Sequence, residues 1–452
     1  MKVLIFGAGR RGLSIAKHLI DEGVSITFLD ISPERCQSAQ AKLDCMAICG
    51  SATNIERLQE AGADEADIVI AVTNSDEVNI VSCGVVSANF PNVEKTIAAI
   101  RSVSYSGPEG ITCKIMGIDH IVNPEQEAAM RIAAIIRSGL YQDTISFPGT
   151  DFVLFTNTID HDSPYNGKTL IEIRQNSDFN FVVAGICRKG QTIIPYGDTV
   201  IKNGDTLAFV TENRETYDVL RHTGKITKYK EPDDIVIIGA TRITRYLLKS
   251  FSVKDRRKVK LIEKDPALAT EFATLFPEVL VINAAITDEL IWEDESIDDS
   301  DLVISLTEND ELNIITTSYA KRAGAKKAIA LIRTNTNYSQ FALSLDVDVA
   351  LSITDVTADS LMKYIRGGGV SAMHTMFNGE LEAYEYVIQE NFKYLGKALK
   401  DVNLRNKIII AGVTLADGSS IVPTGNYTFS LNDSLILAVT HQNSNYIQEF
   451  FS

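Results

Sequence analysis

The residues Thr73, Asp76, Glu77 and Asn79 recur as Thr307, Asp310, Glu311 and Asn313, each 234 positions further on (Thr73 to Thr307). The flanking sequence repeats with them. Asp67-Ile68-Val69-Ile70 returns as Asp301-Leu302-Val303-Ile304, and Pro195-Tyr196-Gly197 as Pro423-Thr424-Gly425. Gly204-Asp205-Thr206-Leu207 likewise returns as Asn432-Asp433-Ser434-Leu435. A repeat about half the chain long predicts a tandem duplication: an α/β unit followed by a small α+β unit, twice over. At 452 residues the chain also exceeds what one hydrophobic core holds. Four domains are expected, over residues 1–140, 141–228, 232–372 and 373–452.

Each larger unit opens on an apolar strand. In the first, Val3-Leu4-Ile5-Phe6 meets Gly7-Ala8-Gly9-Arg10-Arg11-Gly12 and continues at helical spacing through Leu13, Ala16, Leu19 and Ile20. Gly7 permits the sharp turn, Gly9 lets backbone approach a pyrophosphate, and Gly12 lets the helix lie close on the strand. The helix N-terminus adds free N–H groups and partial positive charge. A glycine-rich turn without a ligand has the same letters. Here a second apolar strand, Val24 to Leu29, ends in Asp30, the acid expected roughly 20 residues on to meet ribose hydroxyls. Later strands end at Gly50-Ser51, at Thr73-Asn74 and at Arg101, and in a doubly wound parallel sheet such C-terminal ends line the ligand crevice. Asp76 and Glu77 are expected to cap the next helix.

Asn123-Pro124-Glu125 starts a helix that runs to Ser138 and stops at Gly139. Ala128, Ala129, Ile132, Ala133, Ile135 and Ile136 place apolar residues on more than one side of it. Such a helix needs two surfaces to bury against, within the chain and between subunits. From about Thr144 to Val210 short alternating strands predict a small sheet-rich domain, and the charged stretch 228–234 links it to the second copy.

The second copy has a degraded loop. It reads Gly239-Ala240-Thr241-Arg242-Ile243-Thr244, with Glu263 where the first copy has Asp30. A Cβ at 241 crowds the approach of a pyrophosphate, and one at 244 is expected to loosen helix–strand packing. Gly239 and Glu263 remain as candidate contacts. The pairing predicts one sensing half and one mainly structural half.

A formal net charge of −16, with no basic patch, argues against a nucleic-acid partner. It suits docking on the Lys/Arg-rich cytoplasmic loops of a membrane protein. No apolar stretch approaches the roughly 20 residues needed to span a bilayer, and the first apolar run is short for a signal peptide, so a cytoplasmic location is expected. The six cysteines, at 36, 45, 49, 83, 113 and 187, form no C-x-x-C pair and read as reduced thiols. The six histidines are scattered, and no metal site is assigned.

Gly7-Ala8-Gly9, Asp30, Ala61-Gly62-Ala63-Asp64-Glu65-Ala66-Asp67, the stretch from Thr73 to Asn79, Ile118-Asp119-His120 with Asn123-Pro124-Glu125, and the tandem layout together resemble the TrkA family of Trk-system potassium uptake proteins. The resemblance covers essentially the whole chain. It implies two RCK/KTN units, each a Rossmann part and a C-terminal part, in a homo-oligomeric cytoplasmic ring beneath a membrane potassium transporter. It further implies that NAD(H) or ATP/ADP bound in the Rossmann part gates transport. The family's loop falls on Gly7 to Arg11, its ribose acid on Asp30, and its crevice residues on Gly50, Ser51, Thr73 and Asn74. Two departures stand out. Arg10-Arg11 replaces a Gln-Val-like pair, so an arginine meets phosphate or faces solvent, and Ala99 replaces the first arginine of an A-R-x-R strand, leaving Arg101. The expected function is regulatory, without turnover. The alternatives are an NAD-dependent oxidoreductase, for which no Ser/Tyr/Lys or His/Asp grouping is assigned, and a scaffold with vestigial loops.

Overall fold

Four consecutive apolar residues at Val3 to Phe6 offer water no polar face, so their strand must be covered on both sides. In the computed structural model, which describes residues 1–451 other than 22, 103–104, 106–112, 139–143, 148, 225–231, 334–336, 367–368, 378 and 405–406, that strand is interior to a six-stranded parallel sheet. The strands are β1 (Lys2–Phe6), β2 (Ser25–Asp30), β3 (Met46–Cys49), β4 (Ile68–Ala71), β5 (Lys95–Ala99) and β6 (His120–Val122). Their order is β3-β2-β1-β4-β5-β6. This is the Rossmann order, whose direction of winding reverses between β1 and β4. The second half repeats it with Leu280–Asn283, Val259–Glu263, Ile235–Ile238, Leu302–Ser305, Lys327–Ile332 and Val349–Ser352.

The two small units are five-stranded antiparallel sheets. The first runs Gln191–Ile193, Phe181–Arg188, Thr206–Glu212, Phe152–Thr158, Thr144–Ser146. Its hairpin turns through Lys189 and Gly190, both at positive φ (52° and 79°), as a two-residue turn between right-twisted strands requires. The second runs Val370–Met376, Leu381–Val387, Ser434–Thr440, Ile408–Thr414, Ser420–Ile421. Val370–Met376 crosses the boundary expected at 372, and a division placed before Val370 keeps this strand whole. The two sheets share a core in which Phe152, Leu154 and Ala184 meet Leu381, Ala383 and Ala411. Gly412 permits the approach, because a Cβ there would lie 2.7 Å from the Phe152 ring.

The halves are joined by exchanged helices. Pro124–Ser138 buries Ala129, Ile132 and Ile136 in one core with Ile243, Leu247 and Leu248 of the second half's loop helix, Arg242–Ser250. Reciprocally, Ile353–Arg366 buries Ala358, Leu361 and Met362 with Ile15, Ala16 and Leu19 of the first loop helix, Arg10–Asp21. The two exchanged helices also lie against each other. The two-faced helix read from the sequence therefore finds both its surfaces within the chain. Across the same seam Lys95 Nζ donates to the Tyr364 carbonyl at 3.2 Å, and the His120 ring stacks on Tyr364 with centroids 4.2 Å apart. Gly139 and residues 228–231 of the link lie outside the described residues.

Candidate functional site

The loop after β1 is fixed by what glycine lacks. Gly7 has φ +104°, and a Cβ there would touch the Thr73 backbone at 3.2 Å, so the turn rests directly on the end of β4. A Cβ on Gly12 would lie 2.1 Å from the Gly7 carbonyl oxygen, a contact no other residue could make without moving the loop. At Gly9 a Cβ would meet nothing within 4 Å. The helix begins at Arg10, so Gly9 is its N-cap and has no side chain to satisfy the free amides of the first turn. Those amides and the open space beside them suit a phosphate group.

Asp30 is buried and closes the loop from the other side. Its Oδ2 accepts the Ala8 amide at 2.8 Å and its Oδ1 the Ser32 amide at 2.9 Å, with Arg35 Nη1 3.8 Å from Oδ2. A carboxylate offers about four lone-pair directions, so the two amides leave it with further accepting capacity. The sequence marked Asp30 as a ligand contact; its service to the loop was not read there. Gly50 donates its amide to the Asp30 carbonyl at 2.9 Å and leaves room for the Arg57 side chain, while Ser51 Oγ pairs with Thr53 Oγ1 at 2.8 Å.

The repeated motif is an internal brace. Asn79, fully buried, accepts the Thr73 amide at 3.0 Å and the Thr73 hydroxyl at 2.6 Å on Oδ1, and donates through Nδ2 to the Ala99 carbonyl at 2.7 Å. It ties the ends of β4 and β5 together beneath the crevice. Asp76 and Glu77 lie in the first turn of the helix, as expected of acidic residues at its positive end, but neither is the N-cap. Ser75 is the N-cap of Asp76–Asn89 and accepts the Val78 amide; Glu77 accepts the Ser75 hydroxyl at 2.7 Å. Asp76 instead crosses to the amides of Arg101 (3.1 Å) and Ser102 (2.7 Å) and to Arg101 Nε (3.3 Å). Arg101 also donates to the Asn74 carbonyl, so it lies pinned along the crevice edge.

Arg10 is exposed, whereas Arg11 is half-buried. Desolvation lowers the Arg11 pKa; Glu125 and Asp76 favour its charge, and Arg101 and Arg333 oppose it. Arg11 therefore sits where the two halves meet. Nearby, Asn123 Nδ2 donates to the Tyr246 hydroxyl of the second half at 2.8 Å.

The second loop copies almost all of this. Glu263 accepts the amides of Ala240 (2.7 Å) and Asp265 (2.8 Å), and Asn313 binds Thr307 and the Leu331 carbonyl as Asn79 binds Thr73 and that of Ala99. Gly239 matches Gly7, with φ +99° against Thr307. The difference lies in the loop's own side chains. Thr241 is the N-cap of its helix and accepts the Thr244 amide, placing an oxygen of the chain where the first loop is open. Thr244 does not loosen the packing as expected. It is fully buried, and its hydroxyl donates to the Gly239 carbonyl at 2.5 Å, a new bond at the place where Gly12 abuts Gly7.

Among the described residues no group of three or more His, Cys, Asp or Glu is placed to hold a metal ion, and no helix is long and apolar enough to cross a membrane.

Comparison with known proteins agrees with this architecture. The TrkA-N domain family matches residues 3–124 and again 235–353, and the TrkA-C domain family matches residues 154–223 and 383–452. The Trk system potassium uptake protein TrkA of Halomonas elongata is 29% identical over 438 residues, covering 94% of each chain. That of Vibrio alginolyticus is 30% identical over 411 residues, covering 89% of this chain and 88% of its own. Among solved structures, the "GsuK channel bound to NAD" shares the fold at 16% identity with a TM-score of 0.57, covering 100% of this chain and 78% of that one. With both repeats matched by both domain families, and with near-full-length likeness to its relatives, the chain belongs to the TrkA family of Trk-system potassium uptake proteins.

Proposed function

We propose that this chain is the nucleotide-sensing regulatory subunit of a Trk-type potassium uptake system. NAD(H) or ADP/ATP binds at the first loop, and its presence is relayed through a homo-oligomeric ring to a membrane potassium transporter at the cytoplasmic face. One observation carries the reading: the first loop presents an uncapped helix N-terminus at Gly9 beside the clamped Asp30, while Thr241 fills the same place in the second. A pyrophosphate meets the amides following Gly9, and ribose hydroxyls donate to Asp30. Arg11 and Arg101 flank the crevice with positive charge.

The relay follows from where Arg11 lies. A ligand that draws Arg11 changes a seam shared with Glu125 and Arg333, and so biases the relative setting of the two halves. It does so only by its differential affinity for the two settings, with coupling of about 1–3 kcal/mol per site that several sites in a ring multiply. The names of the relatives support a potassium-uptake role, and a fold neighbour that is a channel bound to NAD supports the ligand class. The reading is of a regulator without turnover, because the side chains of Asp30, Thr73 and Asp76 in the crevice are engaged in holding the backbone of Ala8, Ser75 and Ser102.

Calorimetric titration of the full chain with NADH, NAD, ADP and ATP tests it, with one tight site per chain expected. Two equivalent sites, or none, would overturn it. So would substrate-dependent NADH oxidation at about 1 per second or faster, which would make the chain an oxidoreductase.

A further inference from the structure

Two cysteines of the first half converge on the backbone of Asp30. Cys36, in the first turn of Pro33–Lys42, places Sγ 3.6 Å from the Asp30 carbonyl oxygen and 3.5 Å from that of Ile48, in the gap between the ends of β2 and β3. Cys49 ends β3, pairs in register with Asp30, and places its Sγ 3.6 Å from the Ile31 carbonyl oxygen. Strand alternation puts Cys49 on the same face as Ala47, which joins Ala39 of Pro33–Lys42 in one core. The thiols are thus side-by-side neighbours. Burial, then the charge and hydrogen bonding of Cys49, push the Cys36 thiol up. Cys36 is buried and Cys49 exposed.

The second half supplies the comparison. There Ala269 and Asn283 hold the corresponding places, and Asn283 Nδ2 donates to the Glu263 carbonyl at 2.8 Å. An ordinary hydrogen bond closes the spot where the first half has two thiols. The pair therefore occurs only in the half whose loop is open.

We propose that Cys36 and Cys49 form a reversible disulfide that weakens nucleotide binding at the first loop. The bond itself stands on the thiol geometry; its consequence rests on the nucleotide reading above. A peroxide is the oxidant. The exposed Cys49 thiolate attacks one peroxide oxygen, the O–O bond breaks, and after proton transfer Cys49 sulfenic acid and water result. The Cys36 sulfur then attacks the Cys49 sulfur, and the hydroxyl leaves as a second water with the Cys36 proton. Two electrons pass from the thiols to oxygen, and a dithiol reductant returns them. Forming the S–S bond of about 2.05 Å removes both thiol protons, and with them the hydrogen bonds to the Asp30, Ile48 and Ile31 carbonyls, which resets the helix turn and the end of β3 about Asp30. Its carboxylate can then no longer hold both the Ala8 amide and a ribose. A transient bond of this kind is the sort found in reducing compartments.

The test uses the full chain, reduced or treated with hydrogen peroxide and desalted, followed by a non-reducing peptide map and titrations with NADH and with ADP. A Cys36–Cys49 peptide lighter by two hydrogens is expected, with affinity at least about fivefold weaker and restored by dithiothreitol. Cys36→Ala and Cys49→Ser should bind as the reduced parent does, before and after peroxide. No linked peptide, or a linked peptide with unchanged affinity, overturns the inference alone. A reduced chain that binds neither nucleotide overturns the nucleotide reading and the coupling with it, while the map still decides whether the bond forms.

Discussion

The Ala8 amide donates to Asp30 Oδ2 at 2.8 Å, so the acid that ends β2 also holds the turn that follows β1. On the nucleotide reading proposed above, ligand recognition and loop shape depend on one side chain. In the second half Glu263 holds Ala240 at 2.7 Å in the same way, beside a loop whose helix end is capped by Thr241.

Asp30→Ala is therefore expected to lower both affinity and stability. Losing charge-assisted hydrogen bonds costs about 1.5–3 kcal/mol, or ten- to a hundredfold in nucleotide affinity. Glu263→Ala should lower the thermal midpoint comparably and leave the affinity of the first site unchanged. Calorimetry and thermal unfolding on both variants decide it: equal losses of affinity would show that the halves are not specialised.

Exchanging the N-caps tests the loops directly. Gly9→Thr meets no steric obstacle, so the chain should fold and cap its own helix, weakening nucleotide binding at least about tenfold. Thr241→Gly removes the second loop's cap and should cost about 1 kcal/mol of stability. Retained parental affinity in Gly9→Thr, measured by titration, would mean that the open helix end is not where the phosphate sits.

The duplication, both Rossmann units and the loop were legible because they rest on local periodicity and glycine spacing. Ser75, and not Asp76, as the helix cap was less so, since Asp76 finds its partners in Arg101 and Ser102, 25 and 26 residues away. Thr244 was misread for a related reason. A Cβ in place of a glycine reads as bulk, but its hydroxyl found an acceptor in Gly239, which spacing does not reveal. The apolar faces of Pro124–Ser138 announced two partners, and only the fold names the second as Arg242–Ser250.

Asn79→Ala should strand the Thr73 amide and the Ala99 carbonyl beneath the crevice. Each buried group left unpaired costs about 1–3 kcal/mol, and urea unfolding should show it. Asn313→Ala should cost about the same. A loss confined to Asn79→Ala would contradict the matched bracing of the two halves.

Asp359 predicts a pH dependence. It lies on Ile353–Arg366, accepts from the Thr375 hydroxyl at 2.9 Å and amide at 3.3 Å, and faces Arg131 across the seam, His374 Nδ1 at 3.9 Å and Asp355 on its own helix. Burial pushes its carboxyl up to about 8, and the same burial keeps His374 neutral by lowering its pKa well below the usual value. The folded chain thus keeps a proton that the unfolded chain releases near its ordinary value of 3.8, so stability falls as pH rises between those values and levels off above about 8. Asp359→Asn should remove that slope, gaining in thermal midpoint over the parent as pH rises from about 6 to about 8.5. A constant difference across the range would refute the assignment.

The exchanged helices also set a timetable for synthesis. When Ser138 leaves the ribosome, Ile132 and Ile136 have no core to enter, because Ile243 and Leu247 are not yet made. The sheet that completes that core ends at Ser352, roughly 200 residues later, which at 5–20 residues per second is about 10–40 s. Throughout that interval the nascent chain carries a bare apolar helix, and the first half cannot mature ahead of the second.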